Sequence, residues 1–146
     1  MGESLSLLSR IKEEFSCEPV DVRTYSPLTL AFIGDCVFDL IIRTVVVERG
    51  NRAANGLHKT KSAIVKAQTQ AEMIELLLPE LTAEENSVYR RGRNAKSYTT
   101  AKNASVGDYR KATGFEALIG YLYLQDDMDR VLYLVKKGLQ EKGIEI

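Results

Sequence analysis

Residues 26–39 read SPLTLAFIGDCVFD, an apolar stretch in which single carboxylates are embedded. Ser26 is suited to cap the free amides of a helix, and Pro27 fits the first helical position. We therefore expect a helix that starts here, runs to Arg49 and stops at Gly50. On that helix Asp35 lies on or beside the apolar stripe, so the sequence marks it as a candidate site residue.

A second carboxylate is set even more deeply in apolar sequence. Residues 113–120 read TGFEALIG, and Glu116 is flanked by Phe115 and Ala117. A charge in such surroundings needs a partner. One interpretation is an internal pair between Glu116 and an arginine or lysine. The other is a divalent cation, which takes carboxylates from separate helices, here Asp35 and Glu116. Asp39, one turn after Asp35, is interpreted as a solvated or interface residue.

The rest of the chain predicts helices throughout, in a single domain over residues 1–146. No segment alternates as a strand does, so the fold class is all-α. Thr82 and Ser105 each begin a capping-box pattern, and the polar stretch between the helices that they start is predicted to be the longest loop. The predicted segments are a helix over 5–15, a helix from Asn55 to Pro79 with a break near Gln68, the loop over 92–104, and a helix over 127–142.

Charge is balanced overall but unevenly distributed. The chain has 20 basic and 20 acidic residues. The charged residues of segment 49–66 are all basic, and those of segment 72–85 are all acidic. Segment 90–111 is strongly basic. If the two basic segments meet in the fold, they form a phosphate-binding face. Solvated helix faces are the alternative that charge alone leaves open.

Other classes of protein find little support. The chain has no apolar run long enough for a membrane span and no export signal, so we expect no membrane and a cytoplasmic location. Cys17 and Cys36 are interpreted as free thiols. The single histidine, His58, has no nucleophile or acid in an identifiable relation to it, which leaves a catalytic triad without support.

The two carboxylate segments resemble a known family. The stretch from Leu30 to Phe38, LAFIGDCVF, is similar to the signature helix of ribonuclease III domains, and FEALIG from Phe115 to Gly120 resembles the second signature. Further matches narrow the resemblance to the Mini-III branch, whose members consist of the catalytic domain alone: LHK at 57–59, RGRNAKS at 91–97 and YR at 109–110. The resemblance implies the ribonuclease III endonuclease-domain helical bundle, with its core over about 25–124 and no double-stranded-RNA-binding domain.

The resemblance also implies the chemistry. Asp35 and Glu116 correspond to the catalytic and metal-binding acids, whereas Ala31 and Thr113 stand where standard ribonuclease III has two more carboxylates. Mini-III enzymes share this reduced set. Two carboxylates suit Mg²⁺, with Mn²⁺ able to substitute, because Mg²⁺ keeps several waters and is completed by phosphate oxygens. The expected reaction is hydrolysis of double-stranded RNA to 5′-phosphate and 3′-hydroxyl ends.

The same resemblance implies partners. The expected substrate is a duplex from the ends of the 23S ribosomal RNA precursor, and the expected assembly is a homodimer in which Phe32 reaches the partner subunit. Ordinary core packing is the alternative for Phe32. Proteins hold duplex RNA mainly by its shape, phosphates and 2′-hydroxyls. The residues expected to do so are His58, Lys59, Arg91, Arg93, Asn94, Lys96, Ser97, Thr99 and Lys102.

Two alternatives of other classes remain. A non-catalytic ribonuclease III-like module bound to the ribosome would be expected to lose its acids, whereas Asp35 and Glu116 are retained. A helical metal-binding regulatory dimer would have no need of the basic residues over 91–102. Duplex RNA, supplied with and without Mg²⁺, separates all three.

Overall fold

The computed structural model describes residues 5–96 and 105–146, and within these ranges it contains α- and 3₁₀-helices and no strand. The all-α prediction is confirmed. Short 3₁₀ turns lie at Val22–Thr24 and at Leu78–Glu80. The helices are α1 (Leu7–Glu14), α2 (Pro27–Glu48), α3 (Ala54–Val65), α4 (Ala67–Leu77), α5 (Ala83–Asn94), α6 (Val106–Leu124) and α7 (Met128–Lys142).

Three predicted helix starts are confirmed by the hydrogen bonds of their caps. The Ser26 hydroxyl accepts from the amide of Thr29 at 3.2 Å, which begins α2. Thr82 and Glu85 form both halves of a capping box, at 2.9 and 3.1 Å, which begins α5. The Ser105 hydroxyl likewise accepts from the amide of Asp108 at 3.0 Å. Each cap satisfies amides that the first turn of a helix leaves without partners.

One predicted boundary is wrong and one predicted helix break is present. The loop does not begin at Gly92, because α5 continues to Asn94. Gly92 faces α6, where an added Cβ would lie 2.8 Å from the Cβ of Ala117, so this glycine serves close helix packing rather than a turn. The predicted break near Gln68 is confirmed, and it falls at Lys66, whose ψ of 154° is extended. The carbonyls of Ala63 and Val65 at the end of α3 are capped by the side chains of Thr69, at 2.9 Å, and Gln70, at 2.7 Å.

Helix α6 forms the centre of the fold and packs against α2, α4, α5 and α7. Phe38 of α2 and Phe115 of α6 are fully buried and meet edge to face, with ring centroids 5.5 Å apart. Among the described residues, no helix has both the length and the apolar character needed to cross a membrane.

Two glycines bring the backbones of α2 and α6 into direct contact. A Cβ at Gly34 would lie 1.7 Å from the carbonyl oxygen of Glu116, and a Cβ at Gly120 would lie 2.0 Å from the carbonyl oxygen of Leu30. No side chain fits at either position. Because Asp35 follows Gly34 directly, this contact places its carboxylate beside the α6 turn that carries Glu116.

Candidate active site

The side chains of Asp35 and Glu116 lie in hydrogen-bond contact across the α2–α6 crossing. Asp35 is exposed, whereas Glu116 is half-buried. Burial raises the pKa of Glu116 to about 9, and the hydrogen bond and negative charge of Asp35 contribute to the same shift. A donor on Gln70 opposes it and lowers that pKa. The Glu116 carboxyl is therefore protonated near neutral pH when no cation is bound, because burial and the neighbouring Asp35 both disfavour its charged form.

The pair has no basic partner within the described chain. The groups that act on the Glu116 carboxyl are Asp35 and Gln70, and no described lysine or arginine is among them. The interpretation of Glu116 as half of an internal ion pair is therefore wrong for the described residues.

The residues present fit a divalent cation. The side-chain amide of Gln70 acts on Glu116 as a donor. The Oε1 atom of the same amide is buried and has no hydrogen-bond partner in the described chain. Two carboxylates and an unsatisfied amide oxygen form an all-oxygen set of the kind that Mg²⁺ takes, with water and phosphate completing the shell. No cluster of three or more histidine, cysteine or acidic side chains able to hold a metal occurs over 5–96 and 105–146. The positions at which standard ribonuclease III has two further carboxylates are occupied here by Ala31 and Thr113.

The carboxylates open into a cleft of about 620 Å³ between α2 and α6. Phe32 lies at its edge with 81% of its surface exposed, so core packing within the chain is wrong for this residue. Its role at a dimer interface stays a prediction. The cleft is lined by Leu28, Ala31, Phe32, Ile33, Asp35, Cys36, Tyr109, Thr113 and Glu116.

Asp39 is separate from this site. Its Oδ2 accepts from Nε of Arg43 at 2.8 Å, and its Oδ1 lies 3.5 Å from Nζ of Lys61. Two cations therefore neutralise Asp39 and link α2 to α3. The carboxylate is half-buried in an ion-pair cluster, which corrects its interpretation as a solvated group, while a role at an interface stays a prediction.

The basic end of α5 lies next to the acids. An added Cβ at Gly92 would come within 2.9 Å of the Gly114 Cα and 3.3 Å of the Thr113 carbonyl oxygen, so the last turn of α5 packs on the α6 turn that carries Glu116. Arg91, Asn94 and Lys96 are exposed there. Arg93 is half-buried, with its guanidinium 5.6 Å from the centroid of the Tyr89 ring.

His58 and Lys59 lie elsewhere. Both are exposed on α3, where His58 lines a small cleft with Arg43 and Val46 of α2. From Asp35 to this part of α2 is roughly 15 Å along the helix axis, at about 1.5 Å per residue. The structure therefore does not bring His58 to the carboxylate pair. Ser97, Thr99 and Lys102 lie outside the described residues.

Sequence reasoning missed Gln70. A signal was available, because Gln70 shares a helix face with Ile74 and Leu77, both fully buried. A polar residue on a buried stripe needs a partner in the fold. The spacing of residues on α4 does not identify that partner, because the partner depends on how α4 packs against α6.

Comparisons with known proteins agree on one family. The model of the ribonuclease III domain matches residues 28–127. The chain is 48% identical over 119 residues to a Mini-ribonuclease 3 of Thermoanaerobacter sp. (strain X514), covering 82% of this chain and 84% of that protein. It is 41% identical over 124 residues to that of Streptococcus pneumoniae, covering 84% of this chain and 97% of the relative. The crystal structure of protein FN1578 from Fusobacterium nucleatum superposes with a TM-score of 0.75 at 28% identity, over 85% of this chain and 99% of that one.

Proposed function

The chain belongs to the ribonuclease III domain family, in its Mini-ribonuclease 3 branch, and is a ribonuclease; on this premise we propose that it is a Mg²⁺-dependent endonuclease of double-stranded RNA. The observation that carries the proposal is the contact of Asp35 with Glu116 at a cleft, with no basic residue of the described chain to neutralise them. Enzymes of this family act on double-stranded RNA and generally depend on a divalent metal, and two adjacent carboxylates are suited to hold one.

The chemistry assigned to the chain's own residues is simple. Asp35 and Glu116 would hold the metal, and Glu116 would give up its proton on binding it. The chemistry supplied there would be a water of lowered pKa and a positive charge to offset that of the scissile phosphate. Hydrolysis that expels the 3′ oxygen leaves 5′-phosphate and 3′-hydroxyl ends, and it needs no side-chain nucleophile.

A homodimer completes the proposal for a duplex. One site cuts one strand, so two sites related by a two-fold axis cut both strands. The exposed ring of Phe32, at the edge of the cleft, supports a contact between subunits at this place. An apolar ring this exposed is suited to burial against a partner.

The basic end of α5 is proposed to hold the phosphates of the duplex. Arg91 and Lys96 are exposed beside the α6 turn of Glu116, so a backbone bound there passes close to the acids. Duplex RNA offers phosphates and 2′-hydroxyls rather than base edges, which suits arginine, lysine and Asn94. The substrate proposed on family grounds is the paired ends of the 23S ribosomal RNA precursor.

The test is cleavage of an end-labelled RNA duplex by the purified protein, with Mg²⁺ and with Mg²⁺ chelated. We expect cleavage only with Mg²⁺, and none with the Asp35→Asn variant, which keeps the size of the side chain. Binding of the duplex without cleavage under every metal condition would contradict the proposal and favour a non-catalytic RNA-binding module. A second duplex without precursor sequence tests the substrate, since the 23S assignment requires faster cleavage of the precursor ends.

A further inference from the structure

We propose that Gln70 is a positioning residue of the carboxylate pair, which fixes Glu116 through one N–H and keeps its own carbonyl oxygen as an acceptor at the metal site. The inference rests on the proposed function, because it assigns a part of the same site. Gln70 lies on α4, a helix that packs directly on α6. Gln70 lies outside the sequence motifs that this chain shares with the family.

Burial and hydrogen bonding fix the orientation of the amide. Gln70 is only 2% exposed, and its Nε2 donates to the carbonyl oxygen of Val65 at 2.7 Å. That bond identifies the nitrogen end of the side chain. A glutamine amide carries two N–H donors, so the second hydrogen remains available for the Glu116 carboxylate, with which Nε2 is also in hydrogen-bond contact. Gln70 thus ties the site to the end of α3.

The other end of the amide is unusual. Its Oε1 is buried and has no hydrogen-bond partner in the described chain. A buried acceptor left without a donor destabilises the fold. Because the atom belongs to the same amide group as Nε2, it lies close to the donor that acts on Glu116. A hydrated cation at the pair would supply the donors that this oxygen needs.

A neutral amide suits this position better than a cation. An arginine or lysine at residue 70 would neutralise Glu116 and compete with a metal for it. Gln70 orients the carboxylate and leaves its charge for the ligand. Groups that orient metal ligands in this way contribute roughly 10- to 100-fold to metal affinity or activity.

The chain offers a matched control in the preceding residue. Thr69 is also buried, and its hydroxyl donates to the Ala63 carbonyl at 2.9 Å, so it caps α3 as Gln70 does. It has no part among the groups that act on Glu116. Thr69→Val removes a cap of α3 alone, whereas Gln70→Met, close in size, removes a cap and the contact with the site.

The experiment measures Mn²⁺ binding to the full chain by electron paramagnetic resonance, together with thermal melting and duplex cleavage against Mg²⁺ concentration. We expect Gln70→Met to weaken Mn²⁺ binding and to raise the Mg²⁺ concentration for half-maximal cleavage by about 10-fold or more. Thr69→Val should lower the melting temperature comparably and leave both metal readouts unchanged. Equal metal readouts for Gln70→Met and the unmodified chain, or equal losses in both variants, would overturn the proposal.

A second measurement covers the case in which Gln70→Met does not fold. In the ¹⁵N-labelled unmodified chain, addition of Mg²⁺ should shift the side-chain amide signals of Gln70, with those of exposed Gln68 unaffected, and Asp35→Asn should abolish the shift. Metal binding with no response of Gln70 would overturn the inference and leave the proposed function intact. An unmodified chain that binds no Mn²⁺ and cleaves no duplex would instead overturn the proposed function.

Discussion

Two glutamates on helices that pack together, Glu85 of α5 and Glu116 of α6, have opposite environments. The Glu85 carboxylate accepts from Nε and Nη2 of Arg130, each at 2.8 Å, and from the amide of Thr82. Its pKa lies below the usual value, mainly because of the hydrogen bond from Arg130. Glu116 faces another acid, and its pKa is raised to about 9, mainly by burial.

The difference distinguishes a carboxylate that acts within the fold from one that we propose acts on a ligand. Glu85 finds its cation and its cap inside the chain, so its charge contributes to stability. Among the described residues Glu116 finds only Asp35 and the neutral amide of Gln70, so it stays protonated, and ionising it costs stability unless a cation binds. A buried acid whose pKa is strongly raised is a sign of function when it lies at a cleft.

The largest expected effect comes from Glu116→Gln. Cleavage of duplex RNA should fall by more than roughly 100-fold, beyond what loss of a group that only orients a ligand costs. The fold, the dimer and duplex binding should persist, because only metal ligation is lost. Full cleavage by Glu116→Gln would contradict the assignment of Glu116.

Stability against pH distinguishes the two glutamates further in the metal-free protein. The pKa of Glu116 is raised from 4.5 to about 9, so the folded chain binds a proton that the unfolded chain releases. The free energy of unfolding should therefore fall as pH rises through that range, by up to a few kcal/mol. Denaturant unfolding at several pH values measures it, and Glu116→Gln should flatten the slope.

Arg130→Met should produce the converse result. It leaves Glu85 buried without its cation and should lower the free energy of unfolding by about 3 kcal/mol, with cleavage per folded molecule unchanged. Because the pKa of Glu85 is lowered, its stabilisation is present above pH 4.5 and is lost as pH falls through its folded pKa. Denaturant unfolding at pH 7 and pH 3 measures both effects; a loss of specific activity would show that the pair also serves the site.

Phe32→Ala tests whether an apolar side chain acts within the chain or on a partner subunit. With 81% of its surface exposed, the ring has little to lose inside the chain, so the stability of the monomer should hardly change. The dimer should weaken by about 2 kcal/mol if the ring fills a pocket of the partner subunit. Sedimentation over a range of concentrations checks this, and an unchanged dimer would remove Phe32 from the interface.

The smallest expected effect separates two neighbouring arginines. Exposed Arg91→Ala should weaken duplex binding across sequences and flatten the dependence of log affinity on log salt by up to about one unit. Arg93→Ala should also lower the melting temperature, because its guanidinium lies over the Tyr89 ring. Filter binding from low to high salt gives the slopes. An unaltered slope for Arg91→Ala would show that this end of α5 is exposed to solvent and does not contact the RNA phosphates.

Much of the fold could be predicted from local chemistry, because the caps at Ser26, Thr82 and Ser105 act within one turn of helix. The residues alone leave the pairing of Asp35 with Glu116 as one of two interpretations, and the resemblance to a family favours it; the contact itself depends on Gly34 and Gly120 meeting in space. The extension of α5 past Gly92 and the role of Gln70 were missed for the same reason: packing between distant segments decides both. Periodicity describes the face of a helix but not what that face meets.

The most direct test of the account is the proton balance of metal binding. If a cation replaces the proton of Glu116, then Mn²⁺ binding near pH 7.5 should release about one proton per site. Calorimetric titration in buffers of different ionisation enthalpy measures that number. We predict release by the unmodified chain and by Arg130→Met, and neither binding nor release by Glu116→Gln. Metal binding to Glu116→Gln with the affinity of the unmodified chain would contradict the account.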